Sequence, residues 1–232
     1  MRAAWAFFII IGIEFCRLKH VTMKKMFFAL VFIASSYFTV SAQEAKLVSD
    51  CTVFYNVAIE DSKANPPKAI EGGTKTVYIK GNKSRIDLET SRLKQTTIYD
   101  SNSDSTIILK EAGNGKYISY LDNKRRKEIN KKYEGVEFVN TNERKTILGY
   151  ECQKVIGKLT DGSTYYVFYT PTIIASTSEY EYQFKNLPGF VLEYESRVGE
   201  GNTKIRYSAT KITFVPVPAV KFDVPEKGYR VL

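Results

Sequence analysis

The chain has 232 residues, with 34 lysines and arginines against 25 aspartates and glutamates, a net charge of +9 and a single histidine. That histidine (His20) and the one tryptophan (Trp5) both lie near the N-terminus, so the rest of the chain has no Ser-His-Asp or Cys-His arrangement and no histidine-bearing zinc site. Three cysteines are too few for a four-cysteine zinc site.

Residues 3–13 (AAWAFFIIIGI) are apolar, and Arg17, Lys19 and His20 then interrupt the run. A second unit starts at Met23, with Lys24 and Lys25, an apolar run over 26–34, and a stretch ending Val40-Ser41-Ala42. A basic start, an apolar centre and small residues at the end are the order of a secretory signal peptide. Neither run reaches the ~18–20 residues that span a bilayer as a helix. The expectation is translation from Met23, with 1–22 a mis-assigned extension, 23–42 a signal peptide and Gln43 the mature start. The alternative is one uncleaved anchor made of both runs, which the basic residues and Glu14 oppose. Past residue 42 the chain has no His, Trp or Met, and its 29 basic and 24 acidic residues leave +5. A mildly basic protein in the periplasm or outside the cell favours anionic surfaces, and export argues against nucleic acid as a partner.

The ~190 residues from Gln43 suit one domain with a real core. Period-two alternation dominates. Val53, Tyr55, Val57 and Ile59 share one face of the first run. The pattern recurs over 76–80, 84–89, 96–100, 106–110, 116–121, 136–140, 146–159, 164–170, 190–196 and 204–215. Short β-branched and aromatic runs with turn signals between them predict a mostly β domain around an antiparallel sheet. Pro66-Pro67 with Gly72-Gly73 marks a loop after the first strand. Asp161-Gly162 is the clearest hairpin turn, because a type I′ turn needs positive φ at both central residues. Gly81-Asn82 and Asn114-Gly115 are similar. Residues 122–133 (DNKRRKEINKKY) predict a short helix with Asp122 as N-cap, and 176–185 a helical turn. Several strands are apolar on both faces: Tyr165, Val167 and Tyr169 on one side, Tyr166 and Phe168 on the other. A sheet face open to water carries polar residues, so part of the second face must be covered. Fifteen tyrosines against seven phenylalanines after residue 42 suit surfaces that are apolar but partly wet. Tyr165, Val167, Tyr169, Phe190, Leu192 and Tyr194 are candidate lining residues of a ligand groove; the alternative is the ordinary preference of strands for aromatics.

Four further patterns carry chemistry. Glu193 and Glu195 share one side of a strand, as a catalytic carboxylate pair requires, although a solvated stripe has the same letters. Asp100, Asn102, Asp104 and Glu111 stand at positions 1, 3, 5 and 12 of a calcium loop, with Ile107 at the eighth. Ser105 stands where that loop needs glycine, and a polar hairpin loop is the competing explanation. Lys124, Arg125, Arg126, Lys127, Lys131 and Lys132 form a basic cluster suited to anionic headgroups or an acidic envelope partner, or to a solvated helix face. Cys51 and Cys152 are two cysteines in a chain bound for an oxidising compartment, which favours a disulfide; two separate buried thiols or a reactive thiol are the alternatives. No catalytic residue, metal or cofactor is expected.

The stretches T-I-L-G-Y-x-C-x-K (146–154), N-L-P-G-F-V-L-E-Y (186–194) and F-D-V-P-x-x-G-Y (222–229) resemble the DUF4412 and GLPGLI-type secreted bacterial proteins, with Asn186 where glycine is usual. The layout is also similar to the LolA/LolB-type lipoprotein-carrier fold. The resemblance implies a curved antiparallel sheet forming an incomplete barrel with one or two short helices, able to bind an acyl chain, in a Gram-negative periplasm. Together with the apolar, tyrosine-rich second face, it leads to the expectation of a non-enzymatic protein binding a lipid or other hydrophobic ligand in envelope maintenance; the alternative is a structural or protein-interaction module that uses the basic cluster and holds no ligand. The absence of Met and Trp departs from the carriers. The intact mass of the exported protein checks the leader: the expected chain starts at Gln43, and a mass retaining residues 23–42 refutes cleavage.

Overall fold

In a computed structural model, residues 44–61, 68–177, 179–197 and 204–232 are described. The expected extension and leader fall outside them. Glu44–Leu232 forms one compact unit. It is mostly β, 60% strand and 10% helix, around a large curved sheet that does not close into a barrel.

The strands are β1 (Lys46–Val48), β2 (Asp50–Asp61), β3 (Lys68–Lys80), β4 (Lys83–Glu89), β5 (Leu93–Asp100), β6 (Ser105–Ala112) and β7 (Gly115–Leu121). After the helix α1 (Asn123–Ile129) come β8 (Glu137–Ile147), β9 (Tyr150–Lys158), β10 (Thr164–Thr170), β11 (Ile173–Ala175), β12 (Phe190–Arg197), β13 (Lys204–Thr213) and β14 (Arg230–Val231). Twelve strands form the main sheet in the order β14-β7-β6-β5-β4-β3-β2-β13-β12-β10-β9-β8. Only β14 joins it in parallel; β1 and β11 form a separate parallel pair. Antiparallel hairpins of alternating sequence give this layout directly, because each short turn returns the chain beside the strand it has just left.

Cross-strand register defines the two faces. Val53, Val77, Ile86, Thr97 and Ile108 lie side by side across β2 to β6. The next row is Cys51, Ile79, Ser84, Tyr99 and Thr106. These rows belong to the inner face, where α1 and the segment around residues 179–185 pack. On the outer face the C-terminal tail crosses the strands. Arg85 donates from Nη1 to the Lys221 carbonyl, the Lys221 ammonium sits 5.2 Å from the Tyr78 ring centre, and the Tyr229 hydroxyl donates to Glu111. Ile98, Leu109 and Ile118 on that face are buried. Both sides of the sheet are thus covered over β3 to β7; on β10, whose two faces are both apolar, Tyr166 and Phe168 have the Lys154 ammonium 5.5 and 5.6 Å from their ring centres, and the Lys145 ammonium is 5.5 Å from that of Phe168.

The helix expected over 122–133 ends sooner. Asp122 caps it, its carboxylate accepting from the Arg125 amide at 2.8 Å; after Ile129 the chain tightens into a 3₁₀ turn, Lys131–Tyr133. The helical turn expected over 176–185 is a 3₁₀ turn at Tyr182–Phe184. The run over 146–159 is two strands. Leu148 (φ 52°) and Gly149 (φ 83°) form a two-residue turn between β8 and β9. Positive φ at both positions matches the twist of a hairpin, but leucine is not a residue that advertises it. At Asp161-Gly162 only the glycine has positive φ (82°), and its amide donates to the Leu159 carbonyl at 3.0 Å, so this turn is not type I′. Gly72 and Gly73 lie inside β3 beside a bulge at Val57 and Ala58 in β2, not in a loop.

Cys51 and Cys152 are not joined; both are free and buried. β13, β12 and β10 lie between their strands, about 19 Å along the sheet at ~4.8 Å per strand. They also face opposite ways. Cys51 alternates with Val53 and Tyr55 on the inner face, whereas Cys152 lies on the side of Lys154, which pairs with Phe168. A disulfide needs Cα atoms within about 7 Å. Burial, then the Asp50 carboxylate, pushes the Cys51 thiol up to about 12, and burial pushes Cys152 to about 11. Thiolate is the reactive form, so at pH 8 iodoacetamide should label neither cysteine in the folded protein and both in denaturant. No label in denaturant without a reductant, and two labels once a reductant is added, would instead reveal a bond.

Candidate functional site

The inner face is filled on one side of the molecule and hollow on the other. The filled part centres on β12, β13 and β2. Tyr194 stacks on Tyr207 with ring centres 4.4 Å apart, and Tyr180 stacks on Phe190 at 4.7 Å. Such pairs add about 0.5–1.5 kcal/mol beyond the area they bury. Pairing of β12 with β13 spans Glu193 to Arg197, so at Val191 two tyrosines take the place of the ladder. The Val191 amide donates to the Tyr180 hydroxyl at 3.1 Å, and the Tyr55 hydroxyl donates to the Val191 carbonyl at 2.6 Å. Buried backbone groups need partners, and this need places both hydroxyls.

Lys75 of β3 points into this region and is 3% exposed. Its ammonium forms an ion pair with Glu181, donates to the Tyr194 hydroxyl at 2.8 Å, and lies 4.8–5.3 Å from the ring centres of Tyr55, Tyr194 and Tyr207. Burial lowers the Lys75 pKa, while the Glu181 carboxylate works to raise it. Gln183 donates to the other Glu181 oxygen at 3.1 Å. The segment carrying Tyr180, Glu181 and Phe184 is therefore tied to the sheet by charge, stacking and hydrogen bonds together.

Beyond Glu181 a cavity of about 280 Å³ opens against the sheet. Its floor is Ile86 of β4, Gln95, Thr97 and Tyr99 of β5, and Thr106 and Ile108 of β6. The alternation of β5 and β6 sends these residues inward. One face of α1, through Arg126, Ile129 and Asn130 at i, i+3 and i+4, contributes to the roof with Tyr133 and residues 179–183. The Thr106 hydroxyl is buried and, among the described residues, has no hydrogen-bond partner. The Arg126 guanidinium lies 3.8 Å from the Tyr99 ring centre and 4.9 Å from that of Tyr182, with Asp104 at 3.2 Å and Glu179 at 2.8 Å.

The expected groove residues do not line this cavity. Tyr165, Val167, Tyr169, Phe190, Leu192 and Tyr194 are all buried in the core. Val167 pairs with Tyr194 as one shared side requires, but a register shift in β12 sets Val191 opposite Tyr169 and Phe190 opposite Thr170, and Tyr180 and Phe184 pack directly on Phe190 and Tyr194. Tyr165 packs edge-on against Tyr133 and Phe138 and donates to the Gln183 carbonyl at 3.2 Å.

The basic cluster is divided. Lys124, Arg125, Lys127, Lys131 and Lys132 are exposed, whereas Arg126 turns inward and is unavailable to an outer surface. The calcium arrangement is not assembled. Asp100 holds Asn82 and Lys83, Asp104 holds Arg126 and the Tyr99 hydroxyl, and Glu111 lies at the far end of β6 with Lys116 and Tyr229. Six residues of strand put Glu111 about 20 Å from the turn. Asn102 donates its backbone amide to Asp100, and no metal-binding group of acids, Cys or His occurs among the described residues. Glu193 and Glu195 do share a side of β12, but Lys145 (2.8 Å) and Ser208 (3.2 Å) hold Glu193, and Lys204 (3.3 Å) holds Glu195.

The cavity escaped sequence reasoning because its floor is mixed: Gln95, Thr97 and Thr106 are polar residues at inward positions, which an apolar-face criterion discards. The signal was present in that same alternation, since polar side chains pointing into a covered face need partners. Removing one member of a buried ion pair leaves the other charge uncompensated, at a cost of about 3–5 kcal/mol. Lys75→Met should therefore lower the urea midpoint strongly, and Lys75→Met combined with Glu181→Gln should recover most of the loss. Equal midpoints for the single and double variants would show that the pair does not anchor the segment.

No family model and no curated protein matches the chain. Solved structures similar in outline include PNGF-II, at 14% identity and a TM-score of 0.44, covering 78% of this chain and 30% of that one. An uncharacterised conserved protein from Thermus thermophilus is 9% identical, with a TM-score of 0.45 over 79% of this chain and 90% of its own. A β-barrel-like protein of the DUF1849 domain from Brucella abortus is 10% identical, with a TM-score of 0.32 over 72% and 98%. The chain spans 30% of the length of PNGF-II.

Proposed function

We propose that this chain is a non-enzymatic envelope protein that binds one small amphipathic molecule in the inner-face cavity. The observation that carries the reading is the roofed cavity itself, with Ile86, Ile108 and Tyr180 beside the unpartnered Thr106 hydroxyl. Binding sites are concave, largely apolar and marked by a few convergent polar groups. Size narrows the ligand. An apolar cavity of ~150 Å³ holds a benzene, so 280 Å³ corresponds to about a dozen non-hydrogen atoms. A two-chain lipid exceeds that, and a short single-chain amphiphile matches it. Binding without turnover is supported by the ion pairs that occupy Glu193 and Glu195. Residence in a Gram-negative periplasm is supported by the leader over 23–42 and by the resemblance of the I-L-G-Y-x-C stretch to secreted bacterial proteins.

A second reading, docking of the outward side of α1 on an anionic envelope surface or partner, is favoured by one observation. Lys124, Arg125, Lys127, Lys131 and Lys132 stay exposed while Arg126 alone turns inward.

Native mass spectrometry of protein isolated from the periplasm tests the cavity. The wild type should carry an adduct of about a dozen non-hydrogen atoms, and Ile108→Trp, which fills the floor from β6, should carry none. No adduct on the wild type, together with no thermal stabilisation by C6–C10 amphiphiles of any head group, sinks the proposal.

A further inference from the structure

Among the described residues lining the cavity, Arg126 is the only cation. The other charges there are Glu181, which Lys75 neutralises, and Glu179, which pairs with Arg126 itself. The Arg126 side chain is 6% exposed. A guanidinium that buried needs anions, because an unpaired buried charge is strongly disfavoured. It has two, and they differ. Asp104 is fixed in the β5–β6 turn, where its carboxylate also accepts from the Tyr99 hydroxyl at 3.3 Å. Glu179 belongs to the roof segment, is 35% exposed, and has no second partner among the described residues.

The guanidinium carbon lies 3.8 Å from the Tyr99 ring centre, and both ion pairs run through Nη1. Arginine presents five N–H donors in a rigid fork that matches a carboxylate. Thr106, with its unpartnered hydroxyl, is the residue directly opposite Tyr99 on the neighbouring strand, and opposite side chains on a sheet lie about 5 Å apart at Cβ. Arg126 with its fork of N–H donors and Thr106 with its buried hydroxyl are thus both lining residues of the cavity, while Ile86, Ile108 and Tyr180 supply apolar wall.

We infer, resting on the cavity reading above, that the ligand is a short amphiphile with a carboxylate head, that Arg126 and Thr106 receive that head, and that Glu179 competes with it for the guanidinium. The exchange keeps the charge around Arg126 constant. An incoming carboxylate replaces the Glu179 carboxylate, Asp104 remains, and Glu179, already one-third exposed, moves into water where it needs no partner. A neutral head gains nothing from the exchange, since Glu179 must then stay.

The test compares octanoate with 1-octanol by calorimetry on the full mature chain. Arg126 also supports the fold, so Glu179→Gln is the informative variant, with Glu128→Gln on the exposed side of α1 as the control for an equal change of net charge. The wild type should bind octanoate about tenfold more tightly than 1-octanol, the scale of a charge-assisted hydrogen bond. Glu179→Gln should tighten octanoate by a similar factor and leave 1-octanol unchanged, while Glu128→Gln changes neither. Thr106→Val, nearly the same size, should weaken octanoate and spare 1-octanol. Equal binding of the two probes to the wild type, or equal effects of Glu179→Gln and Glu128→Gln, overturns the carboxylate assignment and leaves the cavity as a binding site. Binding of neither probe to the wild type overturns the cavity reading and this assignment with it.

Discussion

A lysine ammonium on the inner face of β3 cannot be covered by protein without an anion beside it, and in this structure the anion arrives from a segment more than a hundred residues away. Glu181 meets Lys75 inside a ring of Tyr55, Tyr194 and Tyr207. That meeting fixes where the chain crosses the sheet between β11 and β12. With the crossing fixed, Tyr180 stacks on Phe190 and reaches the backbone of Val191, and Phe184 packs edge-on to Tyr194 at 4.9 Å. The same crossing brings Glu179 to Arg126, which ties the crossing segment to α1.

The hollow and filled parts of the inner face are consequences of this one placement. Large aromatic side chains from residues 180–184 cover β12, β13 and β2 and leave no room there. Over β4 to β6 the floor residues are smaller or polar, and α1 bridges above them on Arg126 and Ile129. A helix held by ion pairs and ring contacts at its edge stands off the sheet, whereas a segment of interdigitating aromatics sinks into it. Over β3 to β7 the outer face is covered independently by the C-terminal tail, whose contacts through Lys221, Tyr229 and β14 are mostly polar or backbone-mediated.

Much of the strand pattern was legible because alternation is a local property of the residues themselves. The β-branched and aromatic runs found their strands, and Asp122 marked the start of α1. Errors gathered where a residue's usual preference was overridden. Leu148 adopts positive φ because Gly149 follows it in a two-residue turn that must match the strand twist. Gly72-Gly73 reads as loop but serves a bulge inside β3. The candidate site was scarcely legible. Arg126 lies in a run of five consecutive charged residues, 124–128, and nothing in composition separates it from Lys124 or Lys127. Its inward turn follows from helical phase relative to a sheet whose position the run does not encode. Its anions, Asp104 and Glu179, are 75 residues apart in sequence.

Local residue order was enough to settle which side chains share a side of each strand, where the helix begins, and that both faces of the sheet needed cover. What provides the cover, and where it stops short, was settled by contacts between distant segments. The tertiary structure set Cys51 and Cys152 on opposite faces with three strands between them, buried the tyrosines expected to line a groove, and left the opening over β4 to β6. The physical reason is that alternation fixes direction within a strand through bonded geometry, whereas burial depends on which distant segment has the charge and shape to pack there.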